Sequence, residues 1–393
     1  MEKQGVTIVS LWYPYPDLVG GEEIFAYRLV KALRRRGYPV RVVAKCVDSS
    51  LVEEYAELGV QLVCGVPRSK VHVPSESIQF AIITAIQTLS FFVREVVSAM
   101  PTFLCLGSQT LIVGYPIGRL LKKRVVVRYA GGDLYGLEQK VRSARDRILK
   151  MQFRIGLWLS KSADTVVVTA DWETDALVSH GVRRSRIVKI QNGVETIGDS
   201  ATEGIGRQGP RLIHVGSLVK EFYHDKRVDL LISVFAKYRE KFPSSTLTLV
   251  GGGPETNNIV RQVQALELGD SVKFTGRVRH EDIPRLLAAA DFFVLPSMLE
   301  GMSNALSEAV AFGIPVVASD IPPNREILGN APSSILFDPT SEASFLTALE
   351  TMTVTLEERK LEGRAMARKM APQLSFDRTV QLYASVLSRS MIR

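Results

Sequence analysis

A chain of 393 residues with 46% hydrophobic and 23% charged residues is long enough for two domains of ordinary size and is not a disordered composition. Three widely spaced cysteines, Cys46, Cys64 and Cys105, with no CxxC and no Cys/His cluster, argue against a disulfide framework and against a zinc site. The net charge of +8 is unevenly placed: residues 1–195 hold 27 Lys and Arg against 18 Asp and Glu, so all of the positive excess lies in the first half.

Taken in chain order, the opening MEKQGVTIVSLW lacks the basic region, apolar run and cleavage site of a secretory signal, and a reducing, cytoplasmic setting is expected. VTIVSLW reads as a strand leading through YPYPDLVGGEE into the helix EEIFAYRLVKALRRRG, with Gly20 and Gly21 at the helix start, where paired glycines permit close approach by a ligand. PVRVVAK and LVEEYAELG repeat the strand and helix pattern. IQFAIITAIQTLSFFV, from Ile78, is interrupted by Gln79, Thr84, Gln87, Thr88 and Ser90 and falls short of the roughly 20 apolar residues of a membrane span, so a buried helix is expected there. RVVVRYA is followed by Gly131, Gly132 and Asp133; Asp133 either accepts from a sugar hydroxyl or caps a helix. The basic stretch from Lys140 to Arg154 is either a solvated helix face or a surface for peripheral contact with an anionic membrane. Nucleic acid is not expected, because no reader motif accompanies the charge.

ETIGDSATEGIGRQGP, poor in large apolar residues, reads as a linker. It suggests two domains that meet near residue 195, and the final segment LSFDRTVQLYASVLSRSMIR, with apolar residues at helical spacing, can pack back on either half. A second alternating series follows: RLIHVGS, KRVDLLISVFAKYREKF, STLTLVGGG, SVKFTG, ADFFVLPS and IPVVASD. Alternation throughout the chain predicts an α/β fold of two Rossmann-like halves, with ligands bound just beyond the carboxyl ends of the strands.

The residues after those strands are the site candidates. Gly216 and Ser217 end one strand, and Lys226 and Arg227 are placed at the start of the next helix, where a cation is unfavourable unless an anionic ligand compensates it. GGGPE, which includes Gly252, is a Gly-rich loop without the GxGxxG spacing, and no Walker motif occurs. FTGRV places Gly276 to Val278 where main-chain groups can read a nucleobase. In PSMLEGMSNALSEAV a helix is expected to be capped by Ser303 or Asn304 and stopped by Gly313 and Pro315. The amides of Gly301, Met302 and Ser303 then form an anion site, and Glu300 and Glu308 beside it suit hydroxyl donors, the pattern of a sugar joined to a phosphate. The plainer alternative makes Glu300 a loop residue and Glu308 a solvated helix residue. No HExxH, no DxD and no histidines at ligand spacing are present, so no catalytic metal and no cofactor are expected.

In this arrangement the sequence resembles the family 4 retaining glycosyltransferases of the GT-B fold. EGMSNALSE matches that family's E-x7-E motif, AVAFGIPVVASDIPPNREI follows it, and DTVVVTADWETDALVSHGVRRSRIVKIQNGV is similar to the segment that ends the N-terminal domain at Asn192 to Val194. The resemblance implies parallel sheets facing across a cleft and a UDP-, GDP- or ADP-linked sugar as donor, moved with retention and without a metal to a glycan, lipid-linked or small-molecule acceptor. It implies that Glu308 takes the ribose hydroxyls, that Glu300 faces the donor sugar, that the main chain of Gly301 to Ser303 holds the diphosphate with Lys226, that the Gly20–Gly21 loop closes over the donor, and that residues 374–393 cross back to join residues 1–195, leaving residues 196–373 as the second domain. Asp133 joins Glu300 and Lys226 as a candidate catalytic group. The chain departs from the family where Ser217 stands in the place of a usual arginine, with Lys220 or Arg227 as alternative sources of that charge, and where Ala130 and Gly131 replace a usual His-Gly. Those two departures keep a second reading open, a non-catalytic nucleotide-sugar binder or partner subunit; a nicotinamide enzyme is disfavoured by the missing GxGxxG.

Overall fold

The computed structural model describes residues 4–10, 21–44, 49–64, 100–195, 209–221 and 224–388. Gly20, the helix expected from Ile78 and most of the expected linker lie outside them. The chain divides into two compact units, Met1–Gln191 with Thr379–Arg393, and Asn192–Arg378. The division falls a few residues from the expected boundaries at 195 and 374. Val194 and Ser375 bridge each other, with the Val194 amide donating to Leu374 O and the Phe376 amide to Val194 O, so both ends of this short ladder stay with the second unit.

Among the described residues the first unit is built on seven strands, β1 (Val6–Ser10), β2 (Val40–Ala44), β3 (Gln61–Cys64), β4 (Thr102–Leu106), β5 (Arg124–Arg128), β6 (Thr165–Val168) and β7 (Ile187–Lys189). They are parallel and ordered β3-β2-β1-β4-β5-β6-β7. Strands β4, β5 and β6 are buried along their whole length, as the inner strands of a parallel sheet are, and in β5 this includes the arginines at both ends, Arg124 and Arg128. The C-terminal helix Phe376–Ser388 enters this unit from Thr379 onward: the Thr379 hydroxyl donates to Gln191 O at 2.9 Å, Tyr383 packs on Phe25 with ring centroids 5.6 Å apart, and Arg124 donates to Val386 O.

The second unit carries β8 (Arg211–Val215), β11 (Thr246–Val250), β12 (Val272–Gly276), β13 (Phe292–Leu295), β14 (Val316–Ser319) and β15 (Ser334–Phe337), all parallel, in the order β12-β11-β8-β13-β14-β15. A short antiparallel hairpin, β9 (Lys220–Glu221) and β10 (His224–Asp225), stands apart from the sheet. In β13, Phe292 and Val294 point into the cluster formed with Leu231 and Phe235, whereas Phe293 and Leu295 point into the cluster formed with Leu306 and Val310. The period of two thus divides one apolar run between two helical layers. Strand order reverses between β8 and β13, the point where open parallel sheets leave a crevice for ligands.

The hairpin, β15 and, in the first unit, β3, β4 and β7 were not among the expected strands. The hairpin also corrects one detail: the helix after it spans Val228–Lys241, so Lys226 precedes the helix rather than opening it, and Arg227 is its N-cap in the left-handed region, with φ 49°.

Candidate active site

Lys226 follows β8 and the hairpin; Glu300 follows β13. The switch point brings these two loops together, although they lie 74 residues apart in sequence. Met298 N donates to Asp225 O at 3.0 Å, fixing one loop on the other, and Lys226 Nζ donates to Glu300 Oε1 at 2.5 Å. Both side chains are largely withdrawn from water, so the pair is a charge-assisted hydrogen bond in a low dielectric. The ammonium spends one of its three N–H donors on Glu300 and retains the capacity to bind an anion with the others.

Glu300 sits at the head of the loop leading to the helix Asn304–Phe312. Of the two expected caps, Ser303 and Asn304, the helix uses Ser303, whose hydroxyl accepts from Leu306 N at 3.3 Å, and it ends at Gly313 with φ 79°. Amides of the first helical turn have no acceptor within the helix and carry the positive end of its dipole. Met302 and Asn304 are held from the side: Asn192 N donates to Met302 Sδ at 3.4 Å and Asn192 Nδ2 to Asn304 Oδ1 at 2.9 Å. Glu308, one turn into the helix, is buried, and His280 Nε2 donates to its Oε1 at 2.8 Å. Glu308 is thus not the solvated helix residue of the plainer alternative, whereas Glu300 does lie in a loop but is buried there.

The glycines after β11 have two different reasons to be there. A Cβ on Gly251, at φ +125°, would stand 2.0 Å from Gly216 O, and one on Gly253 would stand 2.4 Å from Leu218 O. These two positions are demanded by the close passage of the Gly216–Leu218 backbone, which carries Ser217. A Cβ on Gly252 would meet only Arg277 Cγ at 3.8 Å and Thr256 Oγ1 at 3.9 Å, so packing does not require glycine there. Val278, past the exposed Gly276, is partly buried against the cluster containing Leu306. The two alternative cations are engaged elsewhere: Lys220 Nζ donates to Asp229 Oδ2 at 2.8 Å, and Arg227 Nη1 to Pro339 O at 3.4 Å.

Beneath the Lys226–Glu300 pair lies His214, in β8 and fully buried. Its Nδ1–H donates to Val294 O at 2.9 Å, its Nε2 has no partner among the described residues, and burial pushes its pKa down to about 4, with the Lys226 charge acting in the same sense. It is a neutral imidazole with an unused acceptor beside the candidate anion site.

Two families match the chain, one described as Glycosyltransferase Family 4 over residues 19–197 and the other as Glycosyl transferases group 1 over residues 202–366. The chain belongs to the family 4 glycosyltransferases. A mannosylfructose-phosphate synthase from Agrobacterium fabrum is 32% identical over 181 residues, 42% of this chain and 39% of that protein, so the match spans less than half of that relative. Sucrose-phosphate synthase from Thermosynechococcus elongatus has the same fold, with a TM-score of 0.81 at 19% identity over 99% of this chain and 100% of that one. HepE from Anabaena, solved in complex with UDP and glucose, gives 0.75 at 19% identity over 98% and 100%. The fold is therefore GT-B.

In the first unit of this family 4 glycosyltransferase, Asp133 lies in the helix Gly132–Glu138 and its Oδ2 accepts from Ser108 N at 2.5 Å, so it secures the turn after β4. Burial raises its carboxyl pKa, against the opposing pull of the Ser108 bonds. A Cβ on Gly107 would lie 3.8 Å from Asp133 Oδ2 and 3.9 Å from Glu22 Oε1, which places two carboxylates around the end of β4. Behind them the fully buried Arg128 stacks on Phe25 at 4.1 Å and reaches Glu22 at 3.4 Å. Gly21 opens the helix Gly21–Arg35 and is exposed.

Sequence reasoning missed His214, His280, Glu22 and Arg128, and it named Asn192 only as part of the end of the N-terminal domain, whereas Asn192 belongs to the second unit. A signal was present for His214 alone, a histidine inside a strand read as buried. The others face their partners only through tertiary contacts.

Proposed function

We propose that the chain transfers a sugar from a nucleotide diphosphate sugar to an acceptor hydroxyl with retention of anomeric configuration and without a metal. The observation that carries this reading is the Lys226–Glu300 pair at the sheet's switch point, directly before a helix N-terminus with a second buried glutamate one turn in. The diphosphate would lie on the amides from Gly301 to Ser303 and on Lys226. Glu308 would accept from the ribose hydroxyls and Glu300 from the sugar. As the bond from the anomeric carbon to the β-phosphate oxygen breaks, charge develops on that oxygen, where Lys226 and the helix dipole stabilise it. The acceptor oxygen bonds to the same face of the anomeric carbon, and its proton passes to the leaving phosphate oxygen.

HepE, which shares the fold, was solved with UDP and glucose, which makes UDP-sugars the first donors to test, before GDP- and ADP-sugars. The acceptor is taken to be a glycan, a lipid-linked sugar or a small molecule. No helix among the described residues is long and apolar enough to cross a membrane. The same reading places the enzyme in the cytoplasm, with peripheral contact between its basic first unit and the anionic inner face of the membrane.

Thermal denaturation with a panel of donors tests the site, because a ligand that binds only the folded state stabilises it by about 2.7 kcal/mol at one hundred times its Kd. One donor class should raise the midpoint of the wild type, and Glu308→Ala and Lys226→Ala should lose that increment. In turnover assays Lys226→Ala should lower kcat about a hundredfold or more. If no donor stabilises the protein, alone or with candidate acceptors, the reading fails. Ser217 and Ala130, at the usual Arg and His positions, favour the second reading of a non-catalytic binder, which predicts stabilisation by donor without release of nucleotide.

A further inference from the structure

The helix Ala144–Ser160 of the first unit has three faces. Leu149, Phe153 and Leu157 are buried against the unit. Ile148, Met151, Ile155 and Trp158 are exposed, at 45%, 54%, 39% and 66%. At 3.6 residues per turn these four fall within an arc of about 80°, a continuous apolar stripe. Arg147, Arg154 and Lys161 form the exposed border along one side of that stripe. Neither Arg147 nor Arg154 has an ion-pair partner among the described residues. The helix's single acid, Asp146, is held at the N-terminus in a capping box with Ser143 and adds no negative charge to the face. A further exposed residue, Leu120 at 69%, ends the helix Leu111–Leu120, whose Arg119 donates to Ser162 O just past the striped helix.

We propose that this face is a membrane-docking surface that inserts Ile148, Met151, Ile155 and Trp158 at the boundary of an anionic bilayer while Arg147, Arg154 and Lys161 engage lipid phosphates. Singly scattered exposed apolar residues are ordinary, but four large ones contiguous on one helix face mark an interaction surface, and an amphipathic helix with a cationic border is the form that lies in a lipid interface. Arginines bordering an apolar stripe complement a negatively charged surface. A second copy of the chain fits less well, since antiparallel pairing of the stripe about a two-fold axis would set the cationic border against itself. The proposal locates the membrane contact within the functional reading above and rests on that part of it alone. It does not depend on donor chemistry.

The test is co-sedimentation of the full chain with vesicles of phosphatidylcholine alone and of phosphatidylcholine mixed with phosphatidylglycerol, for the wild type, Trp158→Ser and Arg147→Glu/Arg154→Glu. Thermal midpoints of the same proteins with and without a nucleotide sugar are measured beside it. The wild type should bind the anionic vesicles and not the neutral ones; Trp158→Ser should bind about tenfold more weakly, and the charge reversal should abolish binding, with folding and donor stabilisation unchanged in both. No binding to anionic vesicles, or binding indifferent to both variants, overturns the docking face while leaving a donor response intact. A dimer in size-exclusion chromatography that Trp158→Ser dissolves, without vesicle binding, assigns the face to a second copy and also overturns it.

Discussion

At the scale of single residues, the Lys226–Glu300 pair links the proposed donor binding to the stability of the second unit. Removing one member of a buried ion pair strands the other, at a cost of about 3–5 kcal/mol. Lys226→Ala should therefore destabilise the second unit as well as abolish the donor response, and Lys226→Ala/Glu300→Ala should be more stable than the lysine variant alone, a non-additivity that denaturant titration of the three variants measures. His214 gives the second unit a pH dependence. Its pKa is held down to about 4, whereas an unfolded histidine titrates near 6.5, so between those values the unfolded chain binds a proton that the folded unit does not. Stability from this source is complete above about pH 6.5 and is lost as the pH falls toward about 4. His214→Phe sacrifices the bond to Val294 O but should flatten that acid slope in a series of thermal midpoints against pH; an unchanged slope would show that other groups set it.

At the scale of elements, the turn after β11 separates packing from ligand approach. Gly251→Ala places a methyl against Gly216 O in a backbone region that L residues avoid, and should cost about 1–3 kcal/mol or more while displacing Ser217. Gly252→Ala meets only ordinary contacts, so it should leave the melting midpoint nearly unchanged, and any loss of donor binding would report crowding of the ligand itself. The elements around this turn were legible where they had a period or a cap. FFVL in β13 is apolar on both faces, and the helix Asn304–Phe312 has Ser303 before it and Gly313 after it. The β9–β10 hairpin was not legible, because its four strand residues, Lys220, Glu221, His224 and Asp225, carry no apolar alternation and no Asn-Gly or Gly-Gly turn joins them. Missing it moved Lys226 onto the helix.

At the scale of the whole molecule, the chain leaves its first unit at Gln191 and re-enters it at Thr379, so the last described helix stabilises the first half of the sequence. Tyr383 is fully buried against Phe25, and Tyr383→Ala should cost the first unit about 3–5 kcal/mol. Protease cleavage followed by mass analysis should show loss of protection in residues 100–191 before residues 209–378; equal loss in both would mean that the two units unfold together. By itself the sequence determined most of the two sets of parallel strands, a helix start at Ser303 or Asn304 and the placing of Glu300 just beyond a strand end with Glu308 one turn into the helix, because apolar periodicity, capping residues and glycine placement are local and act within a few residues. Only the tertiary structure decided that Lys226 meets Glu300, that His280 holds Glu308, that His214 lies beneath both loops and that the apolar stripe on Ala144–Ser160 faces outward. Those pairings follow from strand order and helix rotation, and a polar or exposed side chain does not carry its partner's identity in its neighbours along the chain.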